Sequence, residues 1–116
     1  MAKKIHRHFK MSGLRLSVAE SCTGGLIAHL LTTLPGASEF FDSSVVCYST
    51  ESKIKLLGVK SSVIRKHGAV SEETARAMAV AVRNRRGTDL SLSTTGNLGP
   101  DAMEDKKVGV VFIAVD

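Results

Sequence analysis

Leu14-Arg15-Leu16-Ser17-Val18-Ala19-Glu20-Ser21-Cys22-Thr23-Gly24-Gly25-Leu26-Ile27-Ala28-His29-Leu30-Leu31 is the stretch on which the fold turns. The alternation of Leu14, Leu16 and Val18 with Arg15 and Ser17 predicts a strand from about Leu14 to Val18. The apolar spacing after Gly25 predicts a helix from about Thr23 to Thr33. A strand that feeds a helix through small hydroxyl and glycine residues leaves N–H groups at the helix start without intrahelical partners. Together with the positive end of the helix dipole, those donors favour an anion. Ser21, Cys22 and Thr23 are nucleophilic or hydrogen-bonding side chains on that same turn. Either one of them simply caps the helix or the turn is a site, and on this stretch alone both readings stay open.

Working outward, strands and helices alternate. Residues 5–12 are expected to form a short helix ended by Gly13, so that residues 1–12 are a basic N-terminal helix or tail. Pro35 and Gly36 stop the helix that begins near Thr23, and Glu39-Phe40-Phe41 brings phenylalanines to the core. Ser43–Ser49 reads as a second strand on its β-branched and aromatic content. Thr50–Leu57 reads as a short helix closed by Gly58, with Ser49 or Thr50 as cap. Ser62–His67 is a further short turn before Gly68. Ser71 opens the clearest helix. Glu72 and Glu73 lie in its first turn, Arg83, Arg85 and Arg86 in its last, as the dipole prefers, and Gly87 closes it. Asp89–Thr94 is a third strand, Asp101–Lys107 a polar loop, and the apolar run Val108–Val115 a strand expected to be buried on both faces.

This order predicts an α/β fold, a three-layer α/β/α sandwich around a mostly parallel central sheet, as a single domain over residues 1–116. The chain ends at Asp116 directly after a strand that reads as central. The expectation is therefore a domain truncated at its C-terminus, or a partner copy that supplies the missing layer over Val108–Val115. In open α/β sheets ligands bind outside the carboxyl ends of the strands. Glu20–Gly25, Tyr48–Lys53 and Thr94–Pro100 are expected to meet there.

The composition limits the functional classes. At 43% hydrophobic and 23% charged the chain is ordinary for a globular protein. No run approaches the roughly 20 apolar residues of a membrane span, and the basic N-terminus lacks the apolar segment of a secretory signal. A cytoplasmic protein is expected, with no membrane partner. Two cysteines make neither a disulfide framework nor a zinc spacing. The net charge of +5 is compatible with nucleic acid, but 4% aromatics and no stacking motif give that reading little else, and no nucleic acid is expected. A small anionic substrate explains the charge equally well, and a solvated basic face explains it more simply still.

The residues that carry chemistry are Ser21, Cys22, Tyr48, Lys53 and the pair Thr94-Thr95. A serine nucleophile needs a base. His6 and His8 are expected in a mobile tail, His29 mid-helix and His67 before a helix-ending glycine, so a Ser-His-Asp arrangement has little support, and no Gly-x-Ser-x-Gly elbow is present. A Ser–Lys pair is possible because burial lowers a lysine's pKa towards neutrality. Taken on the residues alone, an ordinary exposed helical lysine is the favoured reading of Lys53. Neither Gly-x-x-x-x-Gly-Lys-[Ser/Thr] nor Gly-x-Gly-x-x-Gly occurs.

Ala19-Glu20-Ser21-Cys22-Thr23-Gly24-Gly25-Leu26-Ile27 with Pro35-Gly36-Ala37-Ser38 resembles the opening of the C-terminal domain of the competence/damage-inducible protein CinA family. Val46-Cys47-Tyr48-Ser49-Thr50-Glu51-Ser52-Lys53, His67-Gly68-Ala69-Val70-Ser71-Glu72-Glu73 and Thr95-Gly96-Asn97-Leu98-Gly99-Pro100 continue the series in the same order. The resemblance spans about residues 14 to 116. It implies an α/β fold and the activity of the family's nicotinamide-nucleotide amidases: hydrolysis of the carboxamide of nicotinamide mononucleotide to nicotinic acid mononucleotide and ammonia, without metal or organic cofactor. Carried over, Ser21 is the nucleophile and Lys53 its general base, with Tyr48 and Thr95 assisting. Glu20, Thr23, Gly24, Gly25, Gly96 and Gly99 are the expected substrate-binding positions. Three departures stand out. The loop after Gly99-Pro100 lacks the further glycines that often follow there, Asn97-Leu98 replaces small apolar residues, and the family's final strand and helix do not follow Asp116. A mononucleotide-binding or regulatory module without turnover, and a reactive Cys22 thiol at a helix start, are the competing expectations.

Overall fold

The alternation Leu90-Ser91-Leu92-Ser93 reads as one apolar face and one wet face, yet both faces are covered. Ser91 and Ser93 are fully buried. Their hydroxyls donate to the backbone carbonyls of Ala79 and Ala75, so small side chains let a helix lie close on the sheet while their polar atoms stay satisfied. The computed structural model describes residues 1–101 and 103–116.

Four strands, β1 (Leu16–Glu20), β2 (Phe41–Val46), β3 (Leu90–Gly96) and β4 (Val111–Val115), form one sheet in the order β2-β1-β3-β4. β1 pairs in parallel with β2 and β3, and β4 runs antiparallel to β3. Helices α1 (Ala2–Ser12) and α2 (Leu26–Thr32) lie on one side. Helices α4 (Ser61–His67) and α5 (Glu72–Arg86) lie on the other, following the single turn α3 (Thr50–Ser52) and the π-helical turn Lys53–Leu57. Each layer has its own core: Leu16, Val18, Leu31 and Phe40 beneath α1 and α2, and Ala19, Cys47, Leu57, Val59, Ile64, Met78 and Val82 beneath α4 and α5. The expected α/β class, with helices on both faces of a mostly parallel sheet, is what forms.

α5 is built as its sequence dictates. Ser71 Oγ accepts from Thr74 N at 3.1 Å, and Gly87 closes the helix at φ 64°. Elsewhere the boundaries move for tertiary reasons. β1 runs on to Glu20 because it is paired on both sides, Glu20 lying against Val46. β2 stops at Val46, earlier than expected, because Ser49 leaves the sheet to cap α3, accepting from Ser52 N at 3.0 Å. α2 starts only at Leu26, residues 22–25 forming the turn before it.

Two expectations need correcting. His6 is not in a mobile tail. It sits in α1, buried, with Nε2 2.6 Å from Leu31 O and its ring edge-on to Phe40 at 4.8 Å. The apolar run near the C-terminus is not a central strand buried on both faces. Its strand portion, β4, is the sheet edge among the described residues, packed on one side by α5. Ile113 and Val115 remain 67% and 69% exposed on the other. α1 and α2 cover the sheet only as far as Leu90 and Leu92, and an unbroken apolar run does not by itself reveal which face a layer reaches. The polar loop expected over Asp101–Lys107 includes Ala102, which lies outside the described residues.

Candidate active site

The two covering layers belong to connections that run in opposite directions along the sheet: α2 carries the chain from β1 out to β2, and α4 and α5 carry it from β2 back past β1 to β3. The carboxyl ends of β1 and β3 are therefore neighbours at a topological switch point, the usual place for a ligand crevice. Ser21 N donates to Thr94 O at 3.1 Å across this gap. A cavity of about 280 Å³ opens here, walled by Ser21, Tyr48, Lys53, Ala69, Thr95 and Met103 among others. Clefts of about 400 Å³ lie beside β4 and between α4 and α5, but neither brings a nucleophile beside a base.

The turn after β1 holds its own anion. The Glu20 carboxylate is fully buried. It accepts from Gly25 N at 3.2 Å, Ile27 N at 2.9 Å and Ala28 N at 3.1 Å, and from the hydroxyls of Thr23 at 2.7 Å and Ser44 at 3.0 Å. Burial works against the charge, but the Ile27 amide, the Thr23 hydroxyl and the Ala28 amide outweigh it and hold Glu20 below the usual carboxylate range. Glu20 thus occupies the N–H groups at the helix start, and it does not wall the cavity. All the contacts that hold its carboxylate are to the turn, to α2 and to Ser44 on β2. Thr23 Oγ1 also lies 2.8 Å from Thr94 Oγ1, which fixes the turn to β3, and Gly25 takes φ 101° to begin α2.

Lys53 is the second component. After Ser49 caps α3, the chain widens into a π-helical turn closed by Gly58, a feature frequent at functional sites. Leu57 and Val59 are locked in the core, and Lys53 turns inward to 2% exposure, so it is not the exposed helical lysine. Its Nζ lies 2.9 Å from Ser21 Oγ, 3.0 Å from Cys47 O and 3.0 Å from Tyr48 O. Carbonyls only accept, so two N–H bonds are committed to them. As an ammonium, Lys53 donates its third proton to Ser21. As a neutral amine, it keeps a lone pair for the serine's proton. Burial pushes the amine down from its ordinary value, against the opposing influence of Cys47, Cys22 and Glu104.

The remaining expected residues are placed as follows. Tyr48 walls the cavity, but its side chain is 74% exposed and its contact with Lys53 is through the backbone carbonyl. Thr95 is buried in the wall, with its hydroxyl donated to Ala69 O at 2.7 Å. Gly96 belongs to the wall, and Gly99 is held outside it by Asn97 Oδ1 at 3.0 Å. Gly24 and Gly25 shape the turn without reaching the cavity. Burial pushes the thiols of both Cys22 and Cys47 up, which leaves them protonated near neutrality and weakens a nucleophilic role for Cys22.

Sequence reading missed Ala69, Val70 and Met103 as wall residues, and Glu104, which accepts from Ala69 N at 2.8 Å and Val70 N at 2.9 Å. Ala69 and Val70 lie within one of the motifs that carry the resemblance, but nothing local ties them to Glu104, because the contact joins segments more than thirty residues apart.

The family model described as the CinA C-terminal domain matches residues 1–116. A CinA-like protein of Shewanella denitrificans is 52% identical over 116 residues, 99% of this chain and 27% of that protein. One of Chloroherpeton thalassium is 51% identical, over 99% of this chain and 28% of that protein. The chain therefore spans about a quarter of the length of these relatives. Among solved structures, the competence damage-inducible protein A of Klebsiella pneumoniae superposes with a TM-score of 0.96 at 33% identity, covering 99% of this chain and 72% of that one. The competence/damage inducible protein of Agrobacterium tumefaciens superposes with a TM-score of 0.93 at 39% identity, covering 98% of this chain and 70% of that one. A sheet with its switch point between β1 and β3, a buried Ser21–Lys53 contact and a match along the whole chain lead to one assignment: the chain belongs to the CinA C-terminal domain family.

Proposed function

We propose that the chain is an amidohydrolase that cleaves the carboxamide of nicotinamide mononucleotide, giving nicotinic acid mononucleotide and ammonia through an acyl-enzyme on Ser21. The observation that carries the reading is the surroundings of Lys53 Nζ: two buried carbonyls that take its N–H bonds, and the Ser21 hydroxyl at 2.9 Å. An amine so placed is a general base whenever it is neutral, and its burial makes neutrality cheaper.

In the reaction, the Ser21 proton passes to Lys53 Nζ while Oγ bonds to the amide carbon. The tetrahedral intermediate collapses, Lys53 returns the proton to the leaving nitrogen, and ammonia departs. Lys53 then deprotonates a water that attacks the ester, and Ser21 leaves with the proton. Backbone N–H groups of the Cys22–Thr23 turn and of Gly96 are the candidates for the developing oxyanion. Elsewhere such donors are worth about 2.7–4 kcal/mol each. The exposed Tyr48 ring is suited to lie against a pyridine face, and Thr95 acts by holding Ala69. The proposed reaction uses water and no cofactor.

The test is ammonia release from nicotinamide mononucleotide by the purified chain, repeated with Ser21→Ala and Lys53→Ala. Loss of about a hundredfold or more in both variants is expected, and full activity in either removes that residue from its role. Binding of the mononucleotide without turnover in the parent chain replaces the enzyme with a binding module. The exposed β4 face also supports self-association. Light scattering should give more than a monomer mass, and a monomer removes that part of the proposal.

A further inference from the structure

The connection between β3 and β4 reaches the cavity through Met103. Met103 forms part of the wall and pairs with Lys106 in an isolated bridge, Lys106 N donating to Met103 O at 2.8 Å. The tip between them is set by Glu104 and Asp105, which take φ 52° and 58°, a left-handed conformation that non-glycine residues adopt only when their surroundings hold them there. For Glu104 the holding contact is visible. Both carboxylate oxygens are engaged, one by Ala69 N at 2.8 Å and one by Val70 N at 2.9 Å. The fit is close: a methyl group on Gly68 would come within 2.5 Å of Glu104 Oε2. Ala69 is held in turn by Thr95, whose hydroxyl donates to its carbonyl.

We propose that Glu104 is a positioning residue for the Ser21–Lys53 pair: its carboxylate clamps the Ala69–Val70 backbone, seats Met103 as a wall of the cavity and places a negative charge in the field of Lys53. Two observations join the clamp to the chemistry. Ala69, Val70 and Met103 wall the same cavity as Ser21 and Lys53. Of the titratable groups that act on Lys53, Cys22 on the turn after β1 and Cys47 beyond β2 are thiols whose protonated form burial favours. The remaining one, Glu104, is the only carboxylate of the three. Its charge favours the ammonium form of Lys53, so removing it leaves the amine neutral over a wider range of pH.

The kinetic part rests on the amidase reading, and the experiment therefore includes measurements that need no turnover. In Glu104→Ala, hydrogen exchange at Ala69 and Val70 N–H in the intact chain should accelerate about tenfold or more, because both amides lose their acceptor. Competitive acetylation of Lys53 by acetic anhydride across pH should give a lower titration midpoint in Glu104→Gln than in the parent. With nicotinamide mononucleotide, Glu104→Ala should raise KM at least about fivefold with a smaller change in kcat. The acid limb of kcat/KM should move down in pH by the same amount as the Lys53 midpoint. Unchanged exchange at both amides, or an unchanged Lys53 midpoint in both variants, overturns the proposal. A parent chain that releases no ammonia, yet shows the exchange and acetylation changes, removes the amidase reading and upholds the clamp.

Discussion

Glu20→Gln should destabilise the fold strongly although it changes two atoms' chemistry and almost no volume. Oε1 accepts from Thr23, Gly25 and Ile27, and Oε2 from Ala28 and Ser44. A glutamine supplies one acceptor and one NH2 group. In either orientation at least one backbone N–H, that of Ala28 or those of Gly25 and Ile27, faces a donor instead of an acceptor in a buried site. An unsatisfied buried donor costs about 1–3 kcal/mol, and the lost charge at the helix start adds about 0.3–2 kcal/mol. The expected loss is about 2–4 kcal/mol, a fall in Tm of roughly 8–16 °C for a chain of this size. The pH dependence gives a second handle. Glu20's folded pKa is depressed, so its stabilisation is present above the unfolded value of about 4.3 and is lost as pH falls through the folded value. The gap between parent and variant in urea unfolding should be widest near neutrality and narrow progressively below about pH 4. A variant within about 0.5 kcal/mol of the parent at neutral pH, or a gap that does not narrow in acid, refutes the assignment of Glu20 as the anion that holds α2.

Three further outcomes follow from named contacts. Lys53→Met should change the pH profile of stability as well as turnover. Lys53's folded pKa is depressed, so the unfolded chain binds more protons between that value and about 10.4, and the parent gains stability as pH rises through the window. The variant should lack this slope in urea midpoints, and a parallel profile counts against a buried amine. Gly96→Ala should cost at least about 1–3 kcal/mol, because its methyl group would stand 2.8 Å from both Val110 O and a Val111 side-chain carbon. Calorimetry decides, and a neutral result means that β3 and β4 part without cost. Thr95→Val keeps the shape and removes the hydroxyl that satisfies Ala69 O. A loss of about 1–2 kcal/mol is expected by thermal unfolding, and a gain in stability refutes the bond.

Local signals carried the helices best. Ser71, the acidic first turn and Gly87 are adjacent in sequence to what they control, so α5 was legible to within a residue. The strand ends were less so. Whether Glu20 continues β1 depends on neighbours on both sides, and whether Ser49 ends β2 depends on its side chain choosing the next helix. Lys53 illustrates the limit for the site. Its helical context is compatible with solvent, and only the widened turn and the anchoring of Leu57 and Val59 carry it beneath the surface to Ser21.

The sequence by itself determined the α/β order of elements and the three loops that meet at the strand ends, because each rests on residue type and short-range spacing, whereas Ser21 and Lys53 as a pair came from the family resemblance. The tertiary structure decided what those residues face. It gave the helix-start anion site to Glu20, brought Lys53 to Ser21 across thirty-two positions, put β4 at an edge, and joined Glu104 to Ala69 and Val70. Each of these depends on contacts between distant segments, and burial, which sets charge and hydrogen-bond demand, exists only once those segments have met.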